Sequence, residues 1–219
     1  RFSQGLSDFL NEYYRKRGVD VRTGIRVSGG KADDDGVKLE LSDGSVLEVD
    51  AVVAGLGVQP NTELAEQAGL DVDDGIVVDA RLRTADPAIW AAGDVASYPS
   101  LALGGRRRVE HENAAISMGH HAGSGMAGED AAFTTQPFFY SDLFDLGYEA
   151  VGELDANHLE VVEHWAEQYK RGVTYYMEGA RVRGVLLWNV WGQVDAAREL
   201  IAAPGPYDAD ALRNRIPMG

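Results

Sequence analysis

Five apolar residues near the start of the chain, Leu6, Phe9, Leu10, Tyr13 and Tyr14, recur at spacings of three and four. That spacing lays them on one stripe of a helix, so SQGLSDFLNEYYRKRG is predicted helical. Ser3 suits its start, Arg15, Lys16 and Arg17 suit the negative end of its dipole, and Gly18 suits its stop. VDVRTG then reads as a short strand. In VKLEL and VLEVD apolar and polar positions alternate on either side of Asp43-Gly44, which predicts a hairpin with one wet face. AVVAGLGVQPN breaks that rhythm. Residues 51–54 are apolar without interruption, as in a strand covered on both faces of a parallel sheet.

Farther along, GIVVDARLRT and AIWAAGD read as short strands, and residues 109–128 as a helix built on Ala and Gly. Residues 130–137 read as a linker ending in Pro137. YEAVGEL, LEVVEHW, VTYYME and RVRGVLLWNVW then form an antiparallel meander, followed by two short helices in QVDAARELIAA and DADALRNRI. The pattern divides the chain into three pieces, residues 1–48, 49–133 and 134–219.

Composition narrows the class. With 45% hydrophobic and 9% aromatic residues the chain can build a core. Acids outnumber bases 35 to 20, giving a net charge of −15. Such a surface repels nucleic acid and anionic lipid, because phosphate affinity needs basic patches. Few lysines among many acids fits a high-salt cytoplasm and a GC-rich genome equally. Without cysteine there is no disulfide, thiol catalysis or thiolate metal site in this stretch. No apolar run reaches 18 residues, so no membrane span is expected. No signal peptide is visible, and a cytoplasmic location is expected.

One stretch carries candidate chemistry. IWAAGDVASYP runs from apolar residues into Gly93 and a lone Asp94. A buried strand ending there would put the carboxylate at the carboxyl edge of a sheet, where open α/β sheets bind ligands. Gly93 would let a ligand approach the backbone, and an ionised Asp94 would accept hydrogen bonds from ligand hydroxyls. Equally, Asp94 could cap a following helix.

TADPAIWAAGDVAS resembles the second flavin motif of the FAD-dependent pyridine-nucleotide reductases, a threonine followed by an apolar-aromatic-Ala-x-Gly-Asp ending. VVAGLGVQPNTEL resembles that family's connection from its NAD domain back to its FAD domain. RRRVEHENAAISMG and YSDLFDLGYEAVGELD are similar to the branch holding apoptosis-inducing factor and the ferredoxin, rubredoxin and putidaredoxin reductases. The resemblance implies an α/β remnant of two dinucleotide-binding domains plus a C-terminal α+β domain with an antiparallel sheet. Residues 1–48 would end the NAD-binding domain, 49–133 would be the second segment of the FAD-binding domain, and 134–219 the C-terminal interface domain.

The resemblance also implies cofactors, FAD and NAD(P)H, and roles for residues. Asp94 would bind the ribityl or pyrophosphate region of FAD, with Gly93, Val95 and Ala96 lining the adjacent backbone. Gly57 would lie where the nicotinamide nucleotide passes. Glu110 and His111 match the pair beside the flavin ring and the nicotinamide. Tyr140 matches an aromatic position that is commonly tryptophan in this branch. On chemistry alone, Glu110 suits a hydrogen bond to a carboxamide and His111 suits flavin tuning or proton shuttling. Glu110 equally suits the first turn of a helix, where the dipole favours an acid.

Other features read more plainly. GSGMAG fits G-x-G-x-x-G but follows a helical run and lacks a βαβ setting, so close helix packing is expected. His120 and His121 face different sides of a helix and are not expected to bind metal. Trp188 and Trp191 are expected in a core or an interface. Arg106, Arg107 and Arg108 form either a loop that offsets nearby acids or a docking patch for an acidic electron carrier.

The expected function is the C-terminal half of an FAD-dependent NAD(P)H oxidoreductase that passes electrons to a ferredoxin- or rubredoxin-type carrier. By itself this piece is expected to be catalytically silent, since the phosphate-cradling glycine motifs lie outside it. The alternative is an isolated fragment acting as a non-catalytic dimerisation or interaction module, with residues 134–219 carrying the contact.

Overall fold

The computed structural model describes every residue of the chain except Asp35. The described residues form two compact units, Ser7–Gln59 and Arg1–Leu6 with Pro60–Gly219. Helix α1 (Gln4–Lys16) gives its first three residues to the larger unit and the rest to the smaller.

In the smaller unit three antiparallel strands lie in the order β1 (Val27–Asp33), β2 (Gly36–Leu41), β3 (Val46–Val49). The predicted hairpin is β2–β3, with Val37 opposite Val49 and Leu39 opposite Leu47. Its turn is closed by Asp43, whose carboxylate accepts from the Ser45 amide at 2.9 Å and hydroxyl at 2.7 Å. Those bonds hold the Asp43 carboxyl below its ordinary pKa. Strand β1 escapes the hydrophobic pattern because VSGGKAD has a single large apolar residue; backbone pairing with β2 makes it a strand.

Two of the expected strands in this unit are absent. VDVRTG is a loop, because the Tyr14 carbonyl takes the Val19 amide at 3.2 Å and Arg15 donates to the Val21 carbonyl at 3.0 Å. The helix end and its arginine hold this segment in place of a neighbouring strand. Residues 51–59 carry strand composition yet no strand, with Val53 99% and Leu56 94% exposed. Backbone amides and carbonyls become a strand only where a partner takes them, and among the described residues none pairs with this stretch.

The larger unit has two layers. Its first layer begins with the short helix α2 (Glu63–Gln67). A small sheet then pairs β4 (Ile76–Val77) parallel to β5 (Ala96–Pro99), which pairs antiparallel with β6 (Arg106–Arg107). Helix α3 (Glu112–Met126) lays Ala114 and Met118 on the core beside Val78, Leu82, Ala96, Tyr98 and Phe133. AIWAAGD is not a strand. Gly93–Val95 is a single 3₁₀ turn, and the strand starts after it at Ala96.

The second layer is a five-stranded antiparallel sheet in the order β7 (Phe138–Leu143), β8 (Leu146–Gly152), β11 (Arg181–Trp188), β10 (Arg171–Glu178), β9 (Glu160–Glu167). The four predicted strands are β8 to β11, but β8 pairs with β11 instead of β9 and the unpredicted β7 is added at the edge, so the sheet departs from a simple meander. Val173, Tyr175 and Met177 alternate onto one face, where α4 (Val194–Ala202) buries Ala197, Leu200 and Ile201 at helical spacing and α5 (Ala209–Leu212) adds Leu212. Each buried Val, Leu, Ile or Met among these stabilises by about 1.5–3 kcal/mol. On the other face Tyr148 and Trp188 stack at 5.8 Å and 10°, with Phe2 edge-on to both. Ser3 hydrogen-bonds Glu163 of β9, pinning the chain start to this face. Among the described residues no helix is long and apolar enough to cross a membrane.

Candidate functional site

In the larger unit the segment running from β6 into α3 faces β7 across an open cleft of about 900 Å³. Glu110 and His111 line it from the first side, and Phe139 and Tyr140 from the second. The His111 and Phe139 rings lie 4.6 Å apart at 33°. Tyr148 closes the floor, edge-on to Phe139 at 6.1 Å. Arg198 fastens β7 in place: its Nε donates to the Gln136 carbonyl at 2.8 Å, and its guanidinium sits 5.7 Å over the Phe138 ring.

His111 precedes the first turn of α3, in extended backbone. Its Nδ1 is buried and has no hydrogen-bond partner among the described residues. Burial, with a smaller push from Arg1, holds the imidazole below its ordinary pKa, against the pull of Asp94 and Glu110. A neutral ring at neutral pH follows. Glu110 lies two residues before α3, so the helix-dipole reading belongs to Glu112 instead. Glu110 Oε1 accepts from Arg108 Nη1 at 2.8 Å.

Asp94 is exposed, within the turn that precedes β5. It therefore neither ends a buried strand nor caps a helix. Gly93 has a second reason to be glycine. Its φ is +76°, and a Cβ there would meet the Ala115 Cβ at 3.3 Å. Its amide donates to the Met118 sulfur at 3.4 Å. Val95 is half-buried, and Ala96 is fully buried opposite Ile76. Arg108 joins this turn to the cleft, donating to the Asp94 carbonyl at 3.2 Å. Gly93, Asp94, Val95, Ala96, Glu110, His111 and Tyr140 thus share the larger unit, the last three on one cleft. Gly57, exposed at φ +87°, belongs to the smaller unit.

Sequence reasoning missed Phe139 and Tyr148, and it read Arg108 as part of an offsetting loop or a docking patch rather than of the cleft. For Arg108 a signal existed: alternation along an extended segment puts it on the same side as Glu110. The arginine run is taken up internally. Arg106 donates to the Val78 and Ser97 carbonyls at 2.8 and 2.5 Å, Arg107 pairs with Glu153, and Arg108 pairs with Asp74 at 2.9 Å. GSGMAG ends α3 and its following turn, and a Cβ on Gly125 would meet the Trp90 ring nitrogen at 3.2 Å. Trp188 is fully buried, while Trp191 is about half exposed.

Residues 1–119 match the model of the pyridine nucleotide-disulphide oxidoreductases, and residues 158–203 match that of the C-terminal region of mitochondrion-associated apoptosis-inducing factor. The chain is 36% identical to mitochondrial apoptosis-inducing factor 1 of Dictyostelium discoideum, over 91% of this chain and 40% of that protein. It is 31% identical to putidaredoxin reductase of Pseudomonas putida, over 94% of this chain and 50% of that protein. Among solved structures, the covalent putidaredoxin reductase–putidaredoxin complex superposes with a TM-score of 0.86 at 30% identity, covering 96% of this chain and 51% of that one. The chain spans about half the length of the curated relatives it matches. By the family match across more than half its length, this chain belongs to the pyridine nucleotide-disulphide oxidoreductase family.

Proposed function

We propose that this chain works as part of an FAD-dependent NAD(P)H oxidoreductase that takes hydride from the nicotinamide and passes electrons to a ferredoxin-type carrier. The observation that carries the reading is the meeting of Glu110, His111 and Tyr140 on one cleft, with a buried, unpartnered His111 Nδ1 among aromatic rings. That donor set suits a flat heteroaromatic ring: Phe139 and Tyr140 offer stacking faces, and an imidazole nitrogen and a carboxylate offer hydrogen bonds.

FAD, when bound, supplies hydride acceptance and single-electron delivery. The residues supply orientation and charge. Asp94, exposed on its turn, accepts hydrogen bonds from ribityl hydroxyls, and the backbone of Gly93, Val95 and Ala96 lines the approach. Glu110 accepts from a nicotinamide carboxamide and so fixes which face of the ring is presented. His111, neutral at working pH, holds or accepts a proton at Nδ1. Gly57 leaves room for the nicotinamide nucleotide where the chain returns from one nucleotide domain to the other. The carrier reading rests on the relative solved in complex with putidaredoxin. A homodimer through residues 134–219 is part of the same proposal.

The test uses the full-length protein. It should purify yellow and reduce a dye at the expense of NADH or NADPH, and Asp94→Ala should lower its flavin content. Full flavin occupancy in that variant removes Asp94 from the site. A colourless protein that forms a monodisperse dimer overturns the enzyme reading in favour of an interaction module.

A further inference from the structure

Arg108 makes more contacts than a charge-offsetting surface arginine needs. Only 12% of its side chain is exposed, against 37% for Glu110 and 72% for Asp74. Nη1 donates to Glu110 Oε1 at 2.8 Å and to the Asp94 carbonyl at 3.2 Å, and Nε donates to Asp74 Oδ1 at 2.9 Å. Two segments distant in sequence, at Asp74 and Asp94, therefore meet Arg108 and its near neighbour Glu110 on one guanidinium. The arginine stem runs past Gly75, where a Cβ would come 2.8 Å from Arg108 Cδ. A planar fork makes these contacts simultaneously; the single ammonium of lysine does not.

Resting on the proposed flavin reading, we propose that Arg108 is the positioning residue of the cleft, holding Glu110 in register with the Gly93–Val95 turn through one shared guanidinium. The exposed Asp74 fixes the far side of that guanidinium, so an outer carboxylate helps to set the orientation of an inner one. The charged groups acting on His111 are Arg1, Asp94 and Glu110. Arg108 reaches His111 through Glu110: with its guanidinium in place the Glu110 charge is partly neutralised, and without it the full negative charge favours the imidazolium.

The experiment is a histidine NMR titration of the flavin-loaded full-length protein, His111 assigned by its own deletion, alongside the pH profile of NADH-driven flavin reduction. Arg108→Gln should raise the His111 midpoint by about 0.5–1 pH unit and displace the profile the same way. Glu110→Gln should lower it. In the Glu110→Gln background, Arg108→Gln should add less than about 0.2 unit, since coupled residues are not additive. Arg106→Gln removes an equal charge from a group bound only to carbonyls and should leave the midpoint in place. If Arg108→Gln does not fold, Arg108→Met keeps an apolar stem and removes the charge, and a rise of His111 that vanishes in the Glu110→Gln background is still expected. An unchanged midpoint, or the same shift with and without Glu110, overturns the proposal. A protein that holds no flavin overturns the functional reading instead, and the titration still reports the Arg108–Glu110 coupling.

Discussion

Replacing Gly93 by alanine places a methyl on a backbone held at φ +76°. The left-handed conformation costs an L-residue about 1–2 kcal/mol. Built in place, the new carbon lies 3.3 Å from Ala115 Cβ, so α3 must shift slightly, adding up to about 1 kcal/mol. The helix does not recede freely, because the Gly93 amide is bound to Met118 on the same face. The sum, roughly 2 kcal/mol, lowers the melting temperature of a chain this size by about 4–8 °C. Gly119→Ala is the contrast. A Cβ on Gly119, in the middle of α3, meets nothing within 4 Å, so alanine there should stabilise by about 0.5–1 kcal/mol. Thermal and urea melts followed by circular dichroism compare the two. A Gly93→Ala protein melting at or above wild type refutes the reasoning, and with it the view that the turn itself demands glycine.

Glu153 joins Arg107 of β6 to Arg183 of β11, the latter at 2.9 Å, so Glu153→Gln should cost about 1–3 kcal/mol in a urea melt. Burial pushes the Glu153 carboxyl up, but Arg183 and Arg107 together hold it below its ordinary value. Its stabilisation is therefore complete above the unfolded carboxylate pKa and fades as pH falls through the lower folded value, so the two proteins' melts should converge in acid. Tyr175 is pushed up to about 12 by burial. Its contribution is complete below the unfolded phenol pKa and is lost as pH rises toward 12, so ultraviolet titration should show late phenolate formation coinciding with unfolding. Trp188→Ala removes the stack on Tyr148 and the bond from Nε1 to the Tyr169 carbonyl at 2.9 Å. It should cost about 3–5 kcal/mol, and Trp188→Phe distinctly less.

The strands of the C-terminal sheet were legible where partners are neighbours in sequence: β10 pairs with β9 and β11, and Val173, Tyr175 and Met177 keep the alternation that marks a covered face. The pairing of β8 with β11 was not, because it joins strands far apart along the chain. The stretch at 51–54 was misread for the complementary reason. Its composition reports a preference for burial, whereas a strand needs a partner backbone, and VSGGKAD became a strand through such a partner despite its composition. At the cleft, Glu110, His111 and Tyr140 were legible as a resemblance to a family motif. The contacts of Arg108 were not, because the Asp74 turn and the Asp94 carbonyl reach it only through the fold. Likewise Asp94 was placed at the wrong end of its strand, since an apolar run into Gly-Asp looks the same whether the strand ends or begins there.

The most direct measurement is the single-turnover rate at which NADH bleaches the visible flavin band of the full-length protein, with and without His111→Ala. The proposal that His111 lies beside the flavin ring and the nicotinamide predicts at least a tenfold slower reduction, about 1.4 kcal/mol of barrier, at unchanged flavin content. An unaltered rate would contradict it.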